Sequence, residues 1–357
     1  MLVIRVFVVD DSAFIRKALT RVLSAQPECQ VVGEAANGHE ALERIPAANP
    51  DVVTLDVAMH GMDGLATLRA LLGWRPSLHV IMLSAHTREG AAATLEALSL
   101  GAADFIDKTA INLMDLDGLG RELVDRLQSW RPGSREARPA VRRPAPTVPA
   151  VDVSHCELCV IGASTGGPAA LQYILERLPA SFPLPLAIVQ HMPAGFTAPF
   201  ADRLNSLCRL QVAEAKEGER LVPGRVLIAP AGRQLRLSNS LTVLLSSEPL
   251  EARHAPSVDV LMKSADRARR GKVLGVLMTG MGDDGAEGMS IIRAHGGRTI
   301  GENEASCTVY GMPRAALLRG GVDWMLSLQE IAAVLEAVGQ VRWDAKAASP
   351  SAPPAPQ

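Results

Sequence analysis

The sequence predicts an α/β protein built from two doubly wound parallel sheets that a flexible linker joins. In both halves of the chain, short apolar runs alternate with amphipathic helical stretches, which is the pattern of β-α-β units. Residues 131–150 separate the halves, are rich in proline, alanine and arginine, and lack apolar periodicity. With 357 residues, of which 48% are hydrophobic, the chain can bury two cores.

The apolar runs give the predicted strands. Those before the linker are Ile4–Val9, Val31–Glu34, Asp51–Leu55, Val80–Leu83 and Asp104–Ile106. Those after it are Leu158–Ile161, Leu186–Val189, Val226–Ile228, Val273–Met278 and Arg298–Ile300. Leu235–Leu237 and Leu241–Leu245 flank a Ser-Asn-Ser turn and predict a hairpin. Ser12 is a candidate N-cap of the first helix, with Phe14, Ala18 and Val22 on one face.

Composition excludes several functional classes. A formal net charge of -2 gives no overall attraction to nucleic acid, and no apolar run is long enough to insert into a membrane. The apolar start of the chain runs directly into Asp10 and Asp11, which indicates a buried strand rather than a signal peptide. Five scattered cysteines make no disulfide framework, so we expect a cytoplasmic protein. Cys156 and Cys159 have CxxC spacing but no second ligand pair, which favours buried apolar residues over a zinc site.

Polar side chains follow four strands of the first predicted sheet. Asp10 and Asp11 follow the first strand, Asp56 the third, Ser84 the fourth and Lys108 the fifth. Function in open α/β sheets collects beyond the carboxyl ends of the strands, so we expect these groups to meet. Three carboxylates at one point need a cation, and oxygen ligands suit Mg²⁺. A carboxylate placed there can attack a phosphoryl donor while the metal and an ammonium neutralise the phosphoryl charge.

Four motifs of the first half, VVDDS, LDVAMHGMDG, MLSA and DFIDK, resemble the receiver domain of two-component response regulators. The similarity covers roughly residues 3–127. It implies one role for each matching residue: Asp56 as phospho-acceptor, Asp10 and Asp11 with Asp56 as the Mg²⁺ site used in phosphorylation, Ser84 and Lys108 as phosphate contacts, and Phe105 as the aromatic switch. Two positions depart from the family, because His60 and Thr109 stand where proline is usual.

A glycine-rich turn in the second half, GASTGG at residues 162–167, lies between a predicted strand and a predicted helix. Such a turn can cradle a phosphate, but GxGxxG does not fit its glycines and the lysine of a P-loop is missing. The turn also matches G-x-S-x-G around Ser164, a pattern in which a serine projects from a sharp bend. Taken alone, the pattern leaves both interpretations open.

Possible partners favour the serine interpretation. A serine nucleophile needs a base and an orienting acid. His191 ends the next strand, and Asp283 or Asp284 lies in the turn after the strand VLGVLMTG. Met281 and nearby glycines in that turn offer backbone N–H groups to an oxyanion.

His254 and His295 in the second half are expected to be structural. The order Ser, His, Asp along the chain differs from that of α/β-hydrolases, so we expect a separate sheet with convergent chemistry.

Six blocks of the second half resemble the catalytic domain of the CheB family, the chemotaxis protein-glutamate methylesterases. They are IGASTGGP, QHMPAGFT, IAPAG, PSVDVL, TGMGDDGAEGM and NEASCTVYGMP, over about residues 157–340. The resemblance implies a catalytic triad with two oxyanion supports and no esterase cofactor: Ser164, His191 and Asp284, with Thr165 and the backbone of Met281. Asp283 stands where the family commonly has asparagine, and an added carboxylate raises the pKa of a nearby histidine.

Together the resemblances imply four segments: a flavodoxin-like receiver domain over residues 1–128, a linker over 129–153, a Rossmann-like methylesterase domain over 154–341 and a disordered tail over 342–357. They imply a phosphorylation-controlled hydrolase that demethylates chemoreceptor glutamates, releasing methanol, and deamidates receptor glutamines. The expected partners are the cytoplasmic region of methyl-accepting chemotaxis receptors and a chemotaxis-type histidine kinase, without nucleic acid or membrane insertion. Two alternatives stay open: a second domain that binds a nucleotide or a partner without hydrolysis, and a methylesterase serving another signalling system.

Overall fold

A computed structural model describes residues 3–84, 87–108, 151–247 and 252–347. The predicted linker therefore lies outside the described residues except for residues 151–153. Within these three, Val153 is buried in the core of the second domain. The packed part of that domain thus begins no later than Val153.

The first domain is a five-stranded parallel sheet. Its strands are β1 (Ile4–Val9), β2 (Cys29–Ala35), β3 (Val52–Asp56), β4 (His79–Ser84) and β5 (Asp104–Asp107). The described helices are α1 (Ala13–Ser24), α2 (Gly38–Ala48), α3 (Gly64–Trp74) and α4 (Arg88–Leu100). The strand order is β2-β1-β3-β4-β5, as predicted for a flavodoxin-like sheet. The order reverses between β1 and β3, which opens a crevice at their carboxyl ends.

Helix α1 begins as the sequence predicts but turns a different face to the sheet. The Ser12 side chain accepts a hydrogen bond from the backbone N–H of Ile15, so Ser12 is the N-cap. Ala18 and Val22 are buried together with Leu19 and Leu23. Phe14 is 55% exposed, so its assignment to the buried face was wrong. Because Leu19 and Leu23 share the buried face of α1 with Ala18 and Val22, that face is turned away from Phe14, which faces solvent.

The second domain is a seven-stranded parallel sheet with a separate hairpin. The sheet strands are β6 (Leu158–Ala163), β7 (Leu186–Gln190), β8 (Gln211–Glu214), β9 (Arg225–Ile228), β12 (Val273–Leu277), β13 (Arg298–Glu302) and β14 (Trp324–Leu326), and the hairpin strands are β10 (Gln234–Leu237) and β11 (Val243–Ser246). The strand order is β14-β13-β12-β6-β7-β9-β8. The three central strands β12, β6 and β7 are buried along their whole length.

Six described helices accompany this sheet. They are α5 (Gly167–Leu175), α6 (Thr197–Leu207), α7 (Val258–Ala268), α8 (Ala286–Ala294), α9 (Met312–Leu318) and α10 (Leu328–Ala347). Because α10 continues to Ala347, residues 342–347 are helical, which corrects the predicted start of the disordered tail. No helix within the described residues combines the length and apolar character needed to cross a bilayer.

The two domains pack against each other. The Phe105 ring of β5 lies 4.6 Å from the Phe196 ring, between centroids, just before α6. On the receiver side, α4 lies against α5 and α6, where the guanidinium of Arg203 donates to Ser99 Oγ at 3.0 Å. One apolar cluster includes buried residues of both domains. The carboxyl edge of the receiver sheet is thus placed next to the second domain.

Candidate active site and phosphorylation site

Three carboxylates of the receiver domain converge at the carboxyl ends of β1 and β3. The carboxylate oxygens of Asp10, Asp11 and Asp56 lie within 4.8 Å of one another. Lys108 Nζ lies 2.7 Å from Asp10 Oδ2 and 2.7 Å from Asp56 Oδ2. Apart from this ion pairing, neither oxygen accepts a hydrogen bond from the described residues. The donor set therefore fits a hard cation such as Mg²⁺, with both oxygens directed into the site.

Charges in this cluster depend on one another because they are buried. Burial raises the pKa of Asp56 against the opposing effect of Lys108, and the charge of Asp10 raises it further. Burial acts to lower the pKa of Lys108, but its contacts with the two carboxylates prevail and raise it. Added negative charge at Asp56 would therefore alter which of these groups the Lys108 ammonium contacts.

Ser84 and Phe105 connect this cluster with its surroundings. Ser84 is fully buried, and its hydroxyl lies 2.7 Å from Thr94 Oγ1 of α4. Phe105 is buried against the second domain. At one position that departs from the family, His60 Nδ1 lies 2.9 Å from Asp11 Oδ2. The other, Thr109, lies outside the described residues.

The glycine-rich turn of the second domain holds Ser164 at the end of β6. Gly166 has a φ of +77°, and a Cβ atom there would lie 2.3 Å from Thr308 Oγ1. Only glycine fits this bend, which ends the strand and starts α5. Gln190 Nε2 donates to the backbone carbonyl of Ser164 at 2.9 Å, and Ser164 N–H donates to the carbonyl of Thr279 at 3.0 Å. The half-buried serine is thus fixed by its backbone, and its hydroxyl makes no hydrogen bond with the described residues.

Three adjacent strands bring the predicted serine, histidine and aspartate to one edge of the sheet. β6 leads to Ser164, β7 to His191, and the loop after β12 to Asp284. The backbone N–H of His191 donates to the carbonyl of Ala163 at 3.0 Å, which sets His191 beside Ser164. His191 Nε2 lies 2.8 Å from Asp284 Oδ2. Because Nε2 is used in this way, Nδ1 is the nitrogen left for the serine.

Asp284 is held by the amino end of α7. Its carboxylate accepts hydrogen bonds from Ser257 Oγ at 2.8 Å, Val258 N–H at 2.8 Å and Asp259 N–H at 3.0 Å. Burial acts to raise the pKa of Asp284, but the bonds from His191 and from this helix end prevail and lower it to about 2. The carboxylate is therefore charged at neutral pH and fully partnered, as an acid that orients a histidine should be.

Two backbone donors near Ser164 are available. Within the described residues, neither the N–H of Thr165 nor that of Met281 donates a hydrogen bond. Gly280 brings the second donor close, because a Cβ atom on it would lie 2.8 Å from Ser164 Cβ. The Thr165 hydroxyl is engaged elsewhere, donating to Asp104 Oδ2 of the receiver domain at 3.1 Å. The pair of N–H groups can serve an oxyanion.

The two adjacent aspartates have different environments. The Asp284 side chain is 8% exposed, whereas that of Asp283 is 55% exposed and lies 3.7 Å from the guanidinium of Arg319. Of the two aspartates that the spacing left open, Asp284 contacts His191, whereas Asp283 faces Arg319. Cys156 and Cys159 are both buried in the apolar core of the second domain.

Sequence reasoning missed three residues that build this site. Gln190 holds the turn, Ser257 holds Asp284, and the Thr279 hydroxyl donates to the carbonyl of Thr165 at 2.9 Å. All three are buried and polar. Two signals were present in the sequence: Gln190 and Thr279 end or follow apolar strands, and Ser257 precedes a helical pattern as an N-cap does.

The fold and the two sites define a response regulator whose second domain carries a serine-histidine-aspartate constellation. Sequence profiles agree: that of the response regulator receiver domain matches residues 6–116, and that of the CheB methylesterase matches residues 159–335. The chain belongs to the CheB methylesterase family.

Relatives resemble the chain over almost its whole length. Protein-glutamate methylesterase/protein-glutamine glutaminase 2 of Nitratidesulfovibrio vulgaris is 42% identical, over 93% of this chain and 98% of its own. The corresponding protein 1 of Carboxydothermus hydrogenoformans is 45% identical, over 92% of this chain and 97% of its own. That of Halalkalibacterium halodurans is 44% identical, over 92% and 96%. The two-domain arrangement is therefore shared with these relatives.

Proposed function

We propose that this protein is a phosphorylation-controlled serine hydrolase that removes methyl esters from chemoreceptor glutamates and deamidates receptor glutamines. The observation that carries the proposal is the contact of His191 with the fully partnered Asp284, beside Ser164 on the neighbouring strand. The names of the relatives include both activities. One nucleophile and one base suffice for both, since ester and amide differ only in the leaving group.

In the proposed mechanism, Ser164 Oγ attacks the side-chain carbonyl carbon of the substrate while His191 Nδ1 takes the hydroxyl proton. Asp284 stabilises the imidazolium that forms. The N–H groups of Thr165 and Met281 bind the oxyanion. The proton passes from His191 to the leaving group, methanol or ammonia, as its bond to the carbonyl carbon breaks. Water, deprotonated by His191, then attacks the acyl carbon. As the bond from that carbon to Ser164 Oγ breaks, the proton passes from His191 to Ser164 Oγ and glutamate is released.

In the receiver domain, Asp56 is the proposed phospho-acceptor. Asp10 and Asp11 with Asp56 would hold Mg²⁺, which supplies charge neutralisation during phosphoryl transfer. Ser84 and Lys108 would contact the phosphoryl group. Support comes from the ion pairs of Lys108 and from the two buried carboxylate oxygens directed into the site.

Phosphorylation is proposed to control access to the second site. Thr165, adjacent to the nucleophile, is buried and bonded to Asp104 of the receiver domain, and Phe105 packs on Phe196. A receptor substrate can therefore reach Ser164 only if the receiver domain moves away from Thr165. Capture of the phosphoryl group by Ser84 would change the strand ends around Phe105 and weaken this packing.

The proposed partners are the cytoplasmic region of methyl-accepting receptors, as substrate, and a chemotaxis-type histidine kinase, as phosphodonor. The cytoplasm is the proposed location. Support comes from the free cysteines, because Cys29, Cys156, Cys159, Cys208 and Cys307 form no disulfide.

The decisive test is release of labelled methanol from receptors methylated at glutamate, using the purified full chain with and without a small phosphodonor and Mg²⁺. We expect release, faster with the donor, and no donor effect in an Asp56→Asn variant. Absence of methanol under both conditions, with nucleotide bound to the glycine-rich turn, would establish the non-hydrolytic alternative instead.

A further inference from the structure

A second histidine lies against the proposed catalytic base. The imidazole rings of His191 and His254 are stacked, with centroids 4.3 Å apart and planes inclined by 22°. The two histidines lie far apart in the chain, because His191 follows β7 and His254 follows the hairpin of β10 and β11. The stack therefore arises from tertiary structure, and it places a second imidazole on the ring of the base.

The backbone around His254 is fixed by the network that holds Asp284. Gln234 Nε2 donates to the carbonyl of His254 at 2.7 Å, and Gln234 Oε1 accepts from Ser257 N–H at 2.8 Å. Gln234 is 1% exposed and Ser257 is 4% exposed. One short segment thus presents Ser257 to Asp284 and His254 to His191. Through this segment, Ser257 contacts the acid that pairs with His191, and His254 contacts the face of the His191 ring.

The ring of His254 is held differently from that of a structural histidine in the same domain. His295 Nδ1 lies 2.7 Å from Asp266 Oδ2, an ordinary buried anchor. Within the described residues, neither ring nitrogen of His254 makes a hydrogen bond, and the residue is exposed. The contact of the His254 side chain that remains is the stacking of its ring face on His191.

We propose that His254 is a positioning residue for His191: its ring, stacked on the base, fixes the imidazole plane with Nε2 on Asp284 and Nδ1 left for Ser164. This inference rests on the proposed serine mechanism. Small errors in the placement of a base are costly, because a displacement of about 1 Å lowers turnover on the order of 100-fold. A stack restrains rotation of the ring about its bonds, which a single hydrogen bond to Asp284 does not.

The charge of His254 matters as well as its shape. Partial burial lowers the pKa of His254, and the charges of His191 and Arg253 lower it further. Asp284 and Asp283 act in the opposite direction, but the lowering prevails. At neutral pH, His254 is thus uncharged and does not oppose the positive charge that His191 gains during proton transfer. At acid pH, a charged His254 would oppose it.

The test compares His254→Phe with His254→Ala in the full chain, assayed with phosphodonor and Mg²⁺ on methylated receptors. The phenylalanine keeps an aromatic face but does not titrate. We expect His254→Ala to lose about 10- to 100-fold in kcat with KM nearly unchanged, and His254→Phe to lose less. In the wild type, log kcat should fall at acid pH with a limiting slope approaching two protons, and in His254→Phe with a slope of one.

A matched control and a second readout separate the outcomes. His295→Ala removes a histidine of the same domain and should lower Tm while leaving the slope at two. NMR of labelled histidine in the full chain reads the proton position on His191 without any turnover; we expect Nε2–H in the wild type and a mixture in His254→Ala. Equal kcat and equal tautomers in wild type and His254→Ala would overturn the proposal, as would a rise confined to KM. Lack of esterase activity in the wild type would instead overturn the serine mechanism.

Discussion

Ser164 is the residue on which the proposed chemistry depends, since its hydroxyl lies at a bend that only glycine neighbours permit. Ser164→Ala should fold normally and lose roughly 10³- to 10⁶-fold in turnover, the scale of nucleophile loss in serine hydrolases. Methanol release at saturating substrate measures the loss. Ser206→Ala is the matched control, because the Ser206 hydroxyl donates only to the carbonyl of Arg203 on α6. Near-normal turnover by a folded Ser164→Ala protein would end the serine mechanism.

The adjacent aspartates should differ greatly when changed. Asp284→Asn removes the carboxylate that fixes the tautomer of His191 and stabilises its charged form, so we expect a loss of about 10⁴-fold in kcat. Asp283→Asn should be mild, because Asp283 is exposed and faces Arg319. Parallel kcat measurements on the two variants check this ranking. The opposite ranking would mean that the acid is assigned one residue too late.

The positions of the candidate site residues were predictable, whereas the residues that hold them in place were not. Ser164, His191 and Asp56 each follow a predicted strand, and the topology of parallel sheets brings such positions together. Gln190 and Ser257 act on partners 26 and 27 positions away in the chain. Such pairings depend on which strands become neighbours, which a single sequence does not specify.

At the scale of elements, the amino end of α7 unites helix capping with the site. Ser257 caps the helix through a bond from Val260 N–H and also donates to Asp284. Ser257→Ala should lower the free energy of unfolding by about 1 kcal/mol, the usual cost of a lost cap. It should also lower kcat about 10-fold, because a hydrogen bond to a charged group contributes about 1.5–3 kcal/mol.

Ser327→Ala is the control for this element, since Ser327 caps α10 through Glu330 N–H and is not bonded to Asp284. It should destabilise the domain similarly and leave kcat unchanged. Ser257→Thr, which keeps the hydroxyl, should restore activity. If the two alanine variants had equal kcat, the Ser257 hydroxyl would be a cap alone.

Most of the strands were predictable, including β2 and β5 at the edges of the first sheet. All ten predicted sheet strands and the hairpin are present, because each was marked by a short apolar run. The two strands that were missed, β8 and β14, are the edges of the second sheet. Each has exposed or half-buried positions and only three or four residues. An edge strand is hydrogen-bonded to a neighbouring strand on one side alone and can leave side chains exposed, so it needs fewer apolar residues than a central strand.

At the scale of the whole molecule, the receiver and the hydrolase meet through polar and aromatic contacts near Ser164. The receiver contributes Asp104 and Phe105 from β5 and Ser99 from α4. The strand that carries Phe105 ends beside Lys108, which contacts Asp56. A change at the proposed phosphorylation site therefore has a short covalent route to the domain interface. Such closeness lets a small local change alter the balance between two domain arrangements.

The bond between Thr165 Oγ1 and Asp104 Oδ2 should stabilise the closed arrangement, because its acceptor is a buried carboxylate. Asp104→Ala should therefore raise the methanol-release rate of the unphosphorylated full chain about 10-fold, as loss of a bond to a charged group predicts. The rate with phosphodonor should change little, because that state already lacks the contact. Asp104→Asn keeps an acceptor and should give a smaller rise.

Glu96→Ala is the control, since Glu96 also lies on the receiver but pairs with Arg69 of the same domain. Its basal rate should equal that of the wild type. A basal rate unchanged in Asp104→Ala, with full stimulation by phosphodonor, would show that the bond does not hold the domains closed. Control would then have to act through the packing of Phe105 on Phe196. A basal rate that rose in both Asp104→Ala and Glu96→Ala would instead indicate general loosening of the receiver, because only the first change touches the second domain.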